Sequence, residues 1–192
     1  MVGCRFHLGQ AWYRKIQECG LSIVYKKQDT EISKWLRLNF SLSFLKPEDV
    51  AECFVLDVLP NMPADKRVFK FVEYLLHWYI YDKQPIPPSQ WAAATADSQR
   101  TTNACESFHS SSGKNFNSSH PNIYVFIEAL KATQITTHTL LNSVEIPKTQ
   151  SKASKKVRAQ KDFVEECLQY YNNYEIDGFS LIKKLSHKYA PS

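Results

Sequence analysis

The fold is decided by the stretch KRVFKFVEYLLHWYIY, which spans residues Lys66 to Tyr81. Its apolar side chains recur at intervals of three and four residues, which is the spacing of one face of an α-helix. Glu73 and His77 interrupt the apolar run, so it falls short of the roughly 18 uninterrupted apolar residues of a membrane-spanning helix. We therefore predict an amphipathic helix and no membrane partner. The predicted apolar face consists of Val68, Phe71, Val72, Leu75, Leu76 and Tyr79.

The same spacing recurs on both sides of this stretch and predicts a mainly α fold. Gly20 stands where a helix would end, and Pro47 stands where one would begin. The segment FVLDVL, residues 54–59, would also suit a short buried strand, although its length and the preceding start signal favour helix. Only 5 of the 192 residues are glycine, which fits helices better than tight hairpins. The predicted helices are 4–19, 30–42, 47–58, 66–81, 123–141, 155–174 and 179–189.

The chain divides by composition into three segments. Residues 1–84 form a helical block, and residues 85–141 begin with an extended connector because Pro85, Pro87 and Pro88 oppose a helix. A short helix is predicted within 100–114. Residues 142–192 form a basic tail that ends in a pair of helices.

Composition excludes several classes of protein. The chain is 43% hydrophobic and 22% charged, as in ordinary globular proteins rather than disordered or collagenous ones. Its five cysteines are odd in number and scattered, which favours a reduced, intracellular protein. The sequence contains no glycine-rich phosphate loop, no Gly-x-Ser-x-Gly and no His-Glu-x-x-His, so nucleotide hydrolysis, ester hydrolysis and zinc proteolysis have no motif to support them.

Positive charge is concentrated in the tail. Residues 1–146 hold 15 basic and 14 acidic side chains, whereas residues 147–192 hold 9 and 5. Within the tail, a run of basic residues contains no acidic side chain, which favours a DNA-binding segment or a signal for import into the nucleus. The alternative interpretation is a solvated linker. The residues we assign to that run are Lys152, Lys155, Lys156, Arg158 and Lys161.

Cys4 and His7 form a Cys-x-x-His pair whose side chains would share one face of a helix. Both are zinc ligands in proteins, but a closed zinc site needs four ligands. Cys105 and His109 are the only similar pair and could supply the other two. The alternative is that Cys4 and His7 belong to the packing of the helix.

Glu106 lies among small, amide and imidazole side chains, in the run RTTNACESFH of residues 100–109. A carboxylate in such surroundings can hold magnesium, which prefers oxygen ligands. It can equally cap a helix. A site with two metal ions needs several carboxylates, and Glu106 is one.

These motifs together resemble the C-terminal catalytic segment of Mutator-like (MULE) transposases of the FLYWCH-associated type. The resemblance rests on the 100–109 run, on SHPNI at 119–123, and on GCRFH at 3–7, with a helical block of about a hundred residues between the two ends. It covers residues 1–141. Within the run, Arg100, Thr102 and Asn103 support the match.

The resemblance implies a DDE-type transposase with an RNase H-like core, in which a helical insertion precedes the helix that carries the last acidic residue. Glu106 matches that residue, and magnesium is the implied cofactor. The family's two aspartates lie upstream of the Cys-x-x-His segment, so the upstream sheet is absent from this chain and it would be inactive alone. Its implied partners are DNA, the upstream transposase half or a second copy of the chain. Asp57 does not substitute for an aspartate, because it lies within the helical insertion.

An alternative function is a non-catalytic helical domain that binds DNA or protein and has kept the scaffold without the active site.

Overall fold

We describe the protein from a computed structural model, in which residues 4–96, 121–142 and 155–189 are placed well enough to describe. Of these residues, 76% are helical and none is in a strand, which confirms the mainly α prediction. No helix within these ranges is both long and apolar enough to cross a bilayer. The helices are α1 (Arg5–Glu18), α2 (Ser22–Lys26), α3 (Glu31–Ser41), α4 (Pro47–Cys53), α5 (Lys66–Trp78), α6 (Pro88–Trp91), α7 (Ile123–Asn142), α8 (Lys155–Asn172) and α9 (Gly178–Tyr189).

The chain forms two compact units. One consists of Met1–Thr101 and Lys155–Ser192, and the other of Thr102–Ser154. These units do not coincide with the three segments drawn from composition, because α6 and the helical pair of the tail belong to the first unit.

Local sequence signals set most of the helix ends. Gly20 adopts a φ of 73° just after α1, a left-handed conformation that favours glycine. The side chain of Thr30 caps α3 by accepting a hydrogen bond from the backbone N–H of Ser33 at 3.2 Å. Pro47 opens α4, where its missing N–H costs nothing. The helices predicted over 4–19, 30–42, 123–141, 155–174 and 179–189 are thereby confirmed to within two residues at each end.

The helix predicted over 47–58 is confirmed, because Phe54–Val58 continues α4 as a turn of π-helix and Leu59–Asn61 ends it as a 3₁₀ turn. The strand alternative for residues 54–59 is thereby excluded. One local prediction is wrong. The connector is not extended throughout, because Pro88 occupies the first position of the short helix α6, where proline is compatible with helix.

The core of the first unit is centred on Trp12 of α1. Its ring lies 5.9 Å from that of Phe40, 5.5 Å from that of Tyr79 and 5.4 Å from that of Trp91. These contacts join α1, α3, α6 and the end of α5 around one aromatic cluster. Proline-containing residues 85–91 therefore contribute to this core rather than linking two bodies.

The helical pair at the C-terminal end completes this core. Helix α9 packs along α3, and its Leu181, Ile182 and Leu185 are fully buried. Helix α8 adds Val164 and Leu168, which are also buried. The tail is thus basic in composition, yet both of its helices are part of the packed unit.

In the second unit the structure describes one helix, α7, together with the two residues before it. The side chain of Asn122 accepts a hydrogen bond from the backbone N–H of Tyr124 at 2.9 Å and so caps the start of the helix. The hydroxyls of its threonines donate to carbonyls one turn earlier, as Thr133 does to Ala129 at 2.8 Å.

Candidate functional site

The Cys-x-x-His pair lies at the start of α1. Cys4 occupies the N-cap position and is half-buried, whereas His7 is exposed and packs edge-on against the ring of Phe6 at 5.6 Å. Within residues 4–96, 121–142 and 155–189, no group of three or more His, Cys, Asp or Glu side chains is placed to hold a metal ion. Cys105 and His109 lie outside the described residues. The zinc site therefore stays a prediction.

The residues that carry the resemblance to the catalytic segment also lie outside the part of the chain that the structure describes. They are Arg100, Thr102, Asn103 and Glu106. Magnesium binding by Glu106 likewise stays a prediction.

Arg5, which the sequence did not single out, ties the Cys-x-x-His segment to two distant loops. Its guanidinium donates hydrogen bonds to the carbonyl oxygen of Ser43 at 3.3 Å, to that of Ala93 at 2.7 Å and to that of Thr95 at 2.8 Å. It also lies 3.8 Å from the centre of the Phe44 ring. We call these contacts the Arg5 clamp.

A sequence signal for the clamp exists in the register of α1. Arg5 precedes Gly9 by four residues and Trp12 by seven, so it continues the buried face of the helix. A partly buried guanidinium needs hydrogen-bond acceptors, and backbone carbonyls of the 3₁₀ turn Leu42–Phe44 and of the segment after α6 supply them.

The basic run of the tail coincides with the start of α8. Lys155, Arg158 and Lys161 are exposed there, and the ammonium group of Lys161 lies 3.4 Å from the carboxylate of Glu165. Lys152 lies outside the described residues, and the side chain of Lys156 is not described. Positive charges in the first turn of a helix oppose its dipole, so a bound anion would stabilise this arrangement.

A cavity of about 600 Å³ lies in the first unit between α3 and α9. Trp35, Leu38 and Phe179 give it an apolar wall, and Trp35 is fixed by a hydrogen bond from its indole N–H to the carbonyl of Val58 at 2.9 Å. Its volume lies within the range of ligand-binding clefts. The remaining lining residues are Gln28, Asp29, Glu31, Lys34, Arg37, Asn61, Lys183, Ser186 and His187.

Basic side chains from both helices converge on this cavity. Lys34 and Arg37 are three residues apart on α3, and Lys183 and His187 are four apart on α9, so each pair shares a helix face. The sequence gives no sign of this convergence, because the two helices are nearly 150 residues apart in the chain and only packing brings them together.

Two buried polar groups of the first unit are structural. Burial raises the pKa of the Cys53 thiol to about 12, so it stays protonated and is a poor nucleophile at neutral pH. The hydroxyl of Tyr171 donates to the carboxylate of Asp49 and accepts from the backbone N–H of Lys46 at 3.3 Å. Burial, together with this hydrogen bond to Asp49, raises the pKa of Tyr171. Neither group is a candidate for catalysis.

The four cysteines that the structure describes, Cys4, Cys19, Cys53 and Cys167, are free thiols. Comparison of the chain with protein-family models, with curated proteins and with solved structures finds no match.

Proposed function

We propose that this chain is the C-terminal part of a Mutator-like DNA transposase, to which it contributes the helical insertion and the last acidic residue, Glu106. The support is the order of the motifs in the sequence and the helical block between them. Residues 4–96 are mainly helical and contain no strand, in agreement with a helical insertion.

The Arg5 clamp is the observation that carries the proposal. The two motifs of the resemblance are a hundred residues apart in the sequence, at 3–7 and 100–109. Arg5 belongs to the first motif, and it binds the carbonyls of Ala93 and Thr95, which lead into the second. The contact fixes the Cys-x-x-His segment to residues that directly precede the catalytic segment in the sequence, which supports the proposal that the two motifs act together.

In such transposases, magnesium ions activate the attacking oxygen and stabilise the leaving one. Glu106 is one carboxylate, and one carboxylate does not fit a site for two ions. We therefore derive no catalytic step for these 192 residues.

The purified chain should neither nick nor join DNA. A supercoiled plasmid incubated with the protein and magnesium or manganese should stay supercoiled on a gel, and Glu106→Gln should behave like the wild type. Metal-dependent nicking that Glu106→Gln abolishes would contradict this prediction, because it would place the remaining ligands within the chain.

The second candidate is a non-catalytic helical domain that binds DNA in the nucleus. It is favoured by Lys155 and Arg158, which are exposed at the start of α8. The transcript upstream of the Met1 codon separates the two candidates. An upstream reading frame that encodes predicted β-strands with two aspartates supports the transposase. A transcript without such a reading frame supports the non-catalytic domain.

A further inference from the structure

We propose that the cavity between α3 and α9 binds the phosphate backbone of DNA. The inference rests on the proposed DNA-binding function and adds to it a contact surface that contains no residue of α8. We call this surface the α3–α9 groove; its basic residues are Lys34, Arg37, Lys183 and His187.

The basic residues are arranged as two rows that face one space. Lys34 and Arg37 project from one face of α3, and Lys183 and His187 project from one face of α9, because residues three or four apart in a helix are neighbours on its surface. Helix α9 packs along α3, so both rows border the same cavity. An elongated polyanion that lies between the rows can contact both of them.

Two of these cations are held in place by aromatic rings. The ammonium group of Lys183 lies 4.3 Å from the centre of the Phe179 ring, and the guanidinium of Arg37 lies 4.7 Å from that of Tyr25. A side chain that is already ordered loses less conformational entropy when it binds. Within the part of the chain that the structure describes, Arg37 donates long hydrogen bonds to Ser33 at 3.4 Å and to the carbonyl of Tyr25 at 3.5 Å, which leaves donors of its guanidinium for a phosphate.

Among the described residues, no ion pair joins Lys34, Arg37 or Lys183 to an acidic side chain, although Lys183 interacts electrostatically with Asp177. Asp29 and Glu31 line the same cavity, yet across the described ranges neither carboxylate lies within 4.0 Å of Lys34, Arg37 or Lys183. Both acids lie next to Thr30, at the end of α3 where the helix begins. Their carboxylates would repel phosphate at the N-terminal end of α3. We therefore expect the DNA backbone to follow the later turns of α3, beside Lys34 and Arg37.

Two further basic residues lie close in sequence to the groove. Lys184 is exposed next to Lys183, and Lys27 is exposed just before the loop that leads into α3. Binding of a polyanion through several such cations releases counterions from it, so the affinity falls with salt in proportion to the number of phosphates contacted. This dependence distinguishes a DNA backbone from an uncharged ligand of the apolar wall.

The test uses the full chain and a fluorescently labelled 20-base-pair duplex. Binding is followed by anisotropy between 50 and 200 mM salt. The double variant Lys34→Ala/Lys183→Ala should bind at least about tenfold more weakly at low salt, and its log–log salt slope should be about two units shallower, as expected for two lost phosphate contacts. Lys34→Arg/Lys183→Arg keeps both charges and should bind like the wild type.

The matched control is Lys70→Ala/Lys83→Ala, which removes the same charge from exposed positions outside the groove. A groove variant that keeps the affinity and slope of this control overturns the inference. If Lys155→Ala/Arg158→Ala then abolishes binding, the DNA-binding function stands without the groove. A wild-type chain that does not bind the duplex at 50 mM salt overturns both. Circular dichroism of each variant confirms that it is folded.

Discussion

At the scale of single residues, Arg5 joins the start of α1 to backbone groups that are distant in the sequence. It reaches carbonyls that are 38, 88 and 90 residues away in the sequence. Hydrogen bonds from a charged donor contribute more than neutral ones, and removing the donor leaves partly buried carbonyls without their partner. We therefore expect Arg5→Ala to lower the free energy of unfolding by about 2 to 3 kcal/mol in urea denaturation.

Two further variants separate the hydrogen bonds from the charge. Arg5→Lys keeps the charge but cannot reach three carbonyls with one planar group, so its loss should be nearly as large. Arg14→Ala, on an exposed part of the same helix, should change stability by less than about 0.5 kcal/mol. An Arg5→Ala variant as stable as Arg14→Ala would show that the clamp does not stabilise the fold.

The side chains that could be recognised from the sequence are those that belong to a motif. Cys4 and His7 stood out because their spacing matches a zinc pair, whereas Arg5 between them matches no functional motif. Its partners are backbone carbonyls, and a carbonyl has the same chemistry at every position. The sequence therefore contains the donor of the clamp but gives no sign of its acceptors.

At the scale of elements, Asp177 controls the start of α9. Its carboxylate accepts a hydrogen bond from the backbone N–H of Ser180 at 2.7 Å, and hydrogen bonds from the side chain and then the backbone of Ser180 lower the pKa of Asp177 below its ordinary value of 3.8. Asp177→Ala should cost about 1 kcal/mol of stability at pH 7, as other N-cap losses do. Asp177→Asn keeps an acceptor and should cost much less. Thermal melts at pH 7 provide the comparison.

The contribution of Asp177 to stability depends on pH. Because the pKa is lower in the folded state, the stabilisation from Asp177 is fully present well above 3.8 and is lost as the pH falls below that value. The difference between wild type and Asp177→Asn should therefore be constant from pH 6 to 7 and shrink toward pH 2. A difference that grows as the pH falls would mean that the carboxylate does not act as the cap.

Most elements were predictable because their signals are local. The capping side chain of Thr30, the glycine at 20 and the proline at 47 each act within a few residues of the helix end that they set. The start signal at Pro47 predicted helix through Phe54–Val58, but not the π-helical turn, since its apolar residues suit a regular helix and this widened turn equally well. Phe54 and Val58 are both fully buried, so we attribute the π-helical geometry to the packing around them.

At the scale of the whole molecule, the sequence predicted a helical protein but not which helices share a core. Composition separated the tail from the block, because lysines are concentrated in it. The buried residues of α8 and α9 nevertheless recur at helical spacing, which was a sign that both helices have a partner. The α3–α9 groove could not be predicted, because it exists only once those two helices are packed.

The dependence of the block on the tail gives the last prediction. A chain that ends at residue 142 lacks Leu181, Ile182 and Leu185, and burying such a side chain contributes about 1.5 to 3 kcal/mol. Their combined loss rivals the 5 to 15 kcal/mol that holds a typical domain together. We expect the truncated chain to lose its cooperative thermal transition and to bind a hydrophobic dye. A chain that ends at residue 189 should unfold cooperatively and bind the dye no more than the wild type does. A cooperative transition at the wild-type temperature after truncation at 142 would mean that α9 only covers a core that is already complete.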